Sequence, residues 1–160
     1  LLGWIEESCP LEIKNSFSIP LNTMIEESAS NLFRIIHYPP VKDNDEINAL
    51  RAAAHEDINL ITVLLAGSEP GLQAQDLNGE WHDIGCDKNT IVVNSGDMLK
   101  IASNSYYPST THRVINPDLN SNVSRYSMPL FLHPRDEVKL STKHTAGSYL
   151  NERLREIGLK

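Results

Sequence analysis

At 160 residues the chain is long enough to bury one sizeable hydrophobic core, and an apolar fraction of 40% fits a globular domain. A formal net charge of -7 and the lack of a basic run argue against nucleic acid as a partner. Cys9 and Cys86 form neither a disulfide framework nor zinc-ligand spacing, and no segment reads as a membrane span or signal peptide, so the expectation is a cytoplasmic protein with no membrane partner.

In chain order, residues 1–30 read as a helical lead-in broken at Pro10 and Pro20, with Leu1, Ile5 and Leu11 as core candidates. From Leu32 onward short strand-like runs alternate with turn clusters, the pattern of a mainly β sandwich or jelly roll. The aliphatic run 59–65 predicts a buried strand, and Asn78-Gly79 predicts a hairpin between 72–77 and 81–84. Ser95-Gly96-Asp97 predicts a turn after a strand at 91–94, with Asp97 shaping it. A further turn is expected over 116–122, and Pro134-Arg135-Asp136 closes the β region. Residues 145–157 predict a helix with Leu150, Leu154 and Ile157 on one stripe and Gly158 as a left-handed cap.

The chemistry concentrates in three motifs. In His55-Glu56-Asp57, strand alternation sends His55 and Asp57 to one face and Glu56 to the other. His112 sits in a second strand-like run, 111–115. Two imidazoles and one carboxylate occupying one face of a metal, with the other positions open, define non-heme Fe(II) oxygenase centres. Arg125 and Ser127 also share a strand face, and an arginine fork beside a hydroxyl grips a carboxylate. Each motif has a plain reading on its own: a chance HxD pair, a packing histidine, a surface arginine. Their succession points to a metal centre with an anion anchor.

That succession resembles the 2-oxoglutarate/Fe(II) oxygenases of the isopenicillin N synthase-like group. The likeness extends over His37-Tyr38-Pro39-Pro40, Pro70-Gly71-Leu72-Gln73, the run 92–99, the run 109–114 and the run 127–134. The resemblance implies a double-stranded β-helix (jelly roll) with flanking helices, including one at the C-terminal end. It also implies Fe(II) held by His55, Asp57 and His112. Arg125 and Ser127 would hold the distal carboxylate of 2-oxoglutarate as cosubstrate, and Tyr38 would assist. O2 would be the oxidant, ascorbate a supporting reductant, and a small organic molecule the substrate, hydroxylated or desaturated. An isopenicillin N synthase-type oxidase that uses no 2-oxoglutarate and a non-catalytic jelly-roll module are the alternatives.

Two departures stand out: Ile36 occupies a position where many family members carry asparagine, and members are typically much longer. The resemblance therefore implies a C-terminal catalytic portion, with 1–30 as a partial helical lead-in, 31–136 as the jelly-roll domain and 137–160 as a helical extension. The sequence sets neither the substrate nor the oligomeric state.

The remaining residues receive plain readings. His37, His82, His133 and His144 are expected at the surface or in packing, with His133 also a candidate neighbour of the metal centre. Tyr106 and Tyr107 line the substrate entrance or pack, and Trp81 caps the core. Arg113 is expected to meet surface carboxylates. Leu72, Leu99, Val114 and Phe131 are the expected apolar walls.

Overall fold

The computed structural model describes residues 1–42, 50–118 and 121–160. Residues 119–120 of the expected 116–122 turn lie outside the described residues. Three short helices lead in: α1 (Leu2–Ser8), α2 (Leu11–Lys14) and α3 (Leu21–Met24). The strands are β1 (Leu32–Phe33), β2 (Ile36–Tyr38), β3 (Ala52–His55), β4 (Ile61–Leu65), β5 (Leu72–Gln75), β6 (Trp81–Asp83), β7 (Ile91–Ser95), β8 (His112–Val114) and β9 (Arg125–Leu132). Helix α4 (Asp97–Ala102) follows β7, and α5 (Ala146–Glu156) follows the β region.

The described strands form two antiparallel sheets, as expected of a jelly roll. One runs β1-β9-β4-β7, with β2 also on β9; the other runs β3-β8-β5-β6. The eight residues of β9 join both short strands to β4, so its alternation orders one whole wall: Arg125 and Ser127 are buried while Tyr126 between them is exposed.

The hydrophobic core lies beside β4, where Leu60 and Ile61 meet Met98 and Leu99 of α4 and Leu21 and Met24 of α3. Here the expected lead-in needs correction. Leu1 and Leu11 are 50% and 72% exposed, whereas Leu2, Phe17, Leu21 and Met24 are buried. The inward stripe of α1 is buried Leu2 and Glu6 with half-buried Ile5, continued by Cys9 just past its end; it lies one register beyond Leu1, because Leu1 precedes the first helical residue. Buried Glu6 is satisfied by accepting the Leu21 amide at 2.7 Å.

Other expected elements hold with shifted edges. The hairpin forms, but its turn is wider than two residues, since β5 ends at Gln75 and Leu77 is fully out in solvent. Asp76 accepts the Asn78 and Glu80 amides there, and Gly79 takes φ +86°. Thr145 and Ser148 cap the start of α5 reciprocally, and Gly158 takes φ +74° at its end. Leu150 packs inward as expected and Tyr149 joins it, whereas Ile157 is exposed. Asp97 does not shape a turn; it opens α4, a helix too short to show its period in sequence.

Helix α4 grips the chain before β4. The amides of Gly96, Asp97 and Met98 donate to the carbonyls of Leu60, Asp57 and Asn59 at 2.9, 2.8 and 3.0 Å. Gly96 has room for nothing larger, because a Cβ there would stand 2.4 Å from the Asn59 carbonyl oxygen and 2.8 Å from that of Asp57. Gly96→Ala is expected to destabilise the fold by about 1–3 kcal/mol through this clash. Urea unfolding checks it; an unchanged midpoint contradicts the contact.

Candidate active site

Between the two sheets lies a cavity of about 190 Å³ with apolar walls that include Leu64, Leu72, Val92, Val114 and Phe131. Leu99 is not among them, because it turns into the helical core. The cavity lining also brings together His55, Asp57, His112, Arg125, Ser127 and Tyr38.

His55 closes β3 and His112 opens β8, and the two are directly paired across the ladder with ring centroids 4.3 Å apart. Asp57 lies beyond the end of β3, not on it as strand alternation suggested. Its backbone leaves the sheet because its carbonyl is taken by the Asp97 amide of α4. The side chains still converge: Asp57 Oδ1 stands 3.9 Å from His55 Nε2 and 3.8 Å from His112 Nε2.

The polar partners of this group fix which atoms face inward. His55 Nδ1 lies 2.8 Å from the Ala53 carbonyl and His112 Nδ1 lies 3.0 Å from that of Thr110. A carbonyl only accepts, so both Nδ1 atoms carry the proton, and a neutral ring presents an Nε2 lone pair to Asp57. Buried Asp57 accepts Thr62 Oγ1 at 2.5 Å and Asn94 Nδ2 at 2.9 Å on Oδ2, which leaves Oδ1 for the cavity. Asn59 Nδ2 in turn donates to Thr62 Oγ1 at 2.9 Å, which orients that hydroxyl toward the carboxylate.

Two imidazole Nε2 atoms and a carboxylate oxygen therefore face one another at separations too long for hydrogen bonds. Their donor atoms all lie within 4.8 Å. Three acceptors so arranged fit a cation, and the set of two imidazoles and a carboxylate suits Fe(II). A second group, Asp76, Glu80 and His82, also gathers within 4.8 Å, but it sits on the hairpin surface, where Asp76 is already engaged by two amides and by His82.

Arg125 is 1% exposed. Its Nε donates to the Glu69 carbonyl at 3.0 Å, while Nη1 has no hydrogen-bond partner among the described residues. Gly67 makes room for the guanidinium, since a Cβ there would stand 2.5 Å from Nη2. Burial pushes the Arg125 pKa down and nearby Tyr38 pulls it back up; a guanidinium stays cationic throughout. Tyr38 pairs with Arg125 across β2 and β9, its ring 5.7 Å from the guanidinium carbon. Burial raises the Tyr38 pKa against the pull of Arg125, Arg34 and Arg51, so its hydroxyl stays protonated and able to donate. Ser127 is buried two residues along β9, opposite Ile36. A buried cation with a free N–H, beside a serine and a phenol, fits the carboxylate of a dicarboxylic acid.

Thr62, Asn94 and Asn59 were not expected at the site. The signal available for two of them was a polar residue in each of two apolar strands, Thr62 in β4 and Asn94 in β7, which prove to be register partners. Arg113 and Trp81 need correction: the Arg113 guanidinium lies over the Trp81 ring at 4.0 Å and donates to Gln73, so among the described residues it pairs with no carboxylate and Trp81 serves as its platform. Tyr107 packs inward with its hydroxyl on the Ile5 carbonyl, and Tyr106 is exposed; neither lines the cavity. His37 stacks on Tyr126, His82 pairs with Asp76 and His144 approaches Glu152. His133 is buried, which lowers its pKa, and is not part of the donor group.

A jelly roll with this donor set defines the class of non-heme iron oxygenases. The family model described as the 2OG-Fe(II) oxygenase superfamily matches residues 29–134, and the chain belongs to that superfamily. A crystal structure of a Shewanella oneidensis protein assigned as an oxygenase is 56% identical with a TM-score of 0.88, covering 99% of this chain and 59% of that one. A full-length Neurospora crassa protein crystallised with alpha-KG (2-oxoglutarate) and thymine is 30% identical with a TM-score of 0.73, covering 85% of this chain and 46% of that one. The 2-oxoglutarate-dependent dioxygenase citB of Monascus ruber is 35% identical over 122 residues, which are 74% of this chain and 36% of that protein. The chain thus spans about a third of the curated relative and little more than half of the similar solved structure.

Thr62→Val keeps the shape of a buried residue and removes the donor on Asp57. Metal affinity is expected to fall about 10- to 100-fold, as for other lost partners of ligating carboxylates. Calorimetric titration with Co(II) reads this directly, and an unchanged affinity would remove Thr62 from the support of the centre.

Proposed function

We propose that this chain carries the catalytic centre of a 2-oxoglutarate-dependent oxygenase, with residues 31–136 as the catalytic jelly roll and 1–30 and 137–160 as its helical flanks. The observation that carries the reading is one cavity holding both a convergent His-Asp-His acceptor group and a buried arginine with an unpartnered N–H. When bound there, Fe(II) supplies with O2 the oxidative decarboxylation of 2-oxoglutarate to succinate and CO2, coupled to hydroxylation or desaturation of a small organic substrate.

The residues have distinct tasks. His55, Asp57 and His112 hold the metal through Nε2, Oδ1 and Nε2. Arg125 and Ser127 bind the distal carboxylate of 2-oxoglutarate, and the Tyr38 hydroxyl donates from the neighbouring strand. The apolar walls exclude water from the reacting end and strengthen each of these charged contacts. His55 is the most exposed of the three donors, at 48% for its side chain against 16% for His112 and 7% for Asp57, so solvent reaches the donor group from its side.

Relatives that take small molecules, thymine among them, support a small organic substrate. Among the described residues no helix is long and apolar enough to cross a membrane. The net charge of -7 without a basic run, and two cysteines that form no disulfide framework, support a cytoplasmic protein acting without nucleic acid. The oxidase that uses no 2-oxoglutarate and the non-catalytic module are not favoured, given relatives that are named as 2-oxoglutarate-dependent dioxygenases.

Arg125→Ala is expected to weaken 2-oxoglutarate binding by about 2–4 kcal/mol, or roughly 30- to 1000-fold, by removing a charged double hydrogen bond. Calorimetry with the metal-loaded protein measures it; a change of less than a few fold excludes Arg125 as the anchor. His112→Ala is expected to abolish succinate release in the presence of iron and ascorbate while far-UV circular dichroism stays unchanged. Retained succinate release would take His112 out of the centre.

A further inference from the structure

Glu56 sits between two of the proposed ligands, yet it belongs neither to the donor group nor to the cavity lining. Its surroundings give it another task. The backbone ladder between β3 and β8 stops at the pair His55–His112, since β3 ends at the first and β8 begins at the second. The next residues in antiparallel register are Glu56 and Thr111. Their backbones do not extend the ladder, and the Thr111 carbonyl accepts instead from Gln75 on the other side at 2.9 Å.

At this point side chains take over. The Thr111 hydroxyl donates to Glu56 Oε1 at 3.1 Å. Glu56 Oε2 lies 3.7 Å from Lys100 Nζ on α4, the helix whose first amide holds the Asp57 carbonyl. One half-buried carboxylate, 33% exposed, therefore ties the segment bearing His55 and Asp57 to the residue before His112 and to α4.

We infer that Glu56 is a positioning residue for the metal centre, with the Glu56–Thr111 hydrogen bond setting the gap between the His55/Asp57 donors and His112. The inference rests on the reading of these three residues as the metal site. The physical need is plain: the two segments carrying the donors have no backbone bond to each other beyond the histidine pair. A cross-tie on the outer side holds the donors at binding distance in the metal-free protein, which raises metal affinity by pre-organisation. An ordinary exposed pair would act on stability alone, and weakly.

The test is Co(II) titration by calorimetry of the metal-free full chain, beside its thermal unfolding. Thr111→Val and Glu56→Ala are each expected to weaken Co(II) about 10-fold with the melting temperature of the metal-free protein unchanged. Thr111→Ser restores the hydroxyl and is expected to keep wild-type affinity. The double variant is expected to bind no more weakly than Glu56→Ala alone, because the Glu56–Thr111 link is already broken there. Affinities in Thr111→Val and Glu56→Ala equal to wild type overturn the inference and leave the metal site standing. A loss that Thr111→Ser fails to prevent, or that follows a fall in melting temperature, also overturns it. Wild-type protein that takes up no Co(II) overturns the metal-site reading and this inference together.

Discussion

Two imidazole Nε2 atoms and one carboxylate oxygen, held facing one another at separations too long for hydrogen bonds, are the constraint around which this structure is organised. Left free, His55, Asp57 and His112 would turn apart. Each is prevented locally: both imidazoles spend Nδ1 on a carbonyl two residues earlier, and the inner oxygen of Asp57 is saturated by Thr62 and Asn94. The stiffness behind these contacts reaches well into the fold. Asp97 gives its amide to Asp57, and its carboxylate accepts the Tyr149 hydroxyl of α5 at 2.8 Å. Burial, together with that acceptor, raises the Tyr149 pKa, so the phenol remains a donor.

The two sheets divide the work. The sheet holding β3 and β8 supplies the histidines, while the sheet holding β9 supplies Arg125 and Ser127 and, through β4 and β7, the partners of Asp57. The charges in the cavity are complementary to what is to be bound. A buried guanidinium with a free N–H is costly until an anion meets it, and a cluster of acceptors is costly until a cation meets it. A metal chelated by a dicarboxylic keto acid relieves both, which is why one cavity with these two features supports one reaction class.

Much of this was legible in the sequence because it depends on period-two alternation. Arg125 and Ser127 share a buried face with exposed Tyr126 between them, as their spacing implies. The hairpin and the capped terminal helix follow from turn and cap residues that act locally. What the sequence concealed is non-local. Asp57 reaches the centre from a loop, because α4 captures its carbonyl, and no pattern within His55-Glu56-Asp57 reveals that. A six-residue helix such as α4 carries too few turns to display a period, so it reads as a turn after Gly96. Leu1 and Leu11 look as apolar as Leu2, and only the helix starts decide which side of each short helix meets the core. The supporting roles of Thr62 and Asn94 depend on strand register, which residue types alone do not specify.

The most direct test is a crystal structure of the full chain grown anaerobically with Mn(II) and 2-oxoglutarate. The account predicts an anomalous peak at the common point of His55 Nε2, Asp57 Oδ1 and His112 Nε2, with the far carboxylate of the keto acid on Arg125 and Ser127. A metal peak elsewhere, or a keto acid whose carboxylate avoids Arg125, would contradict it.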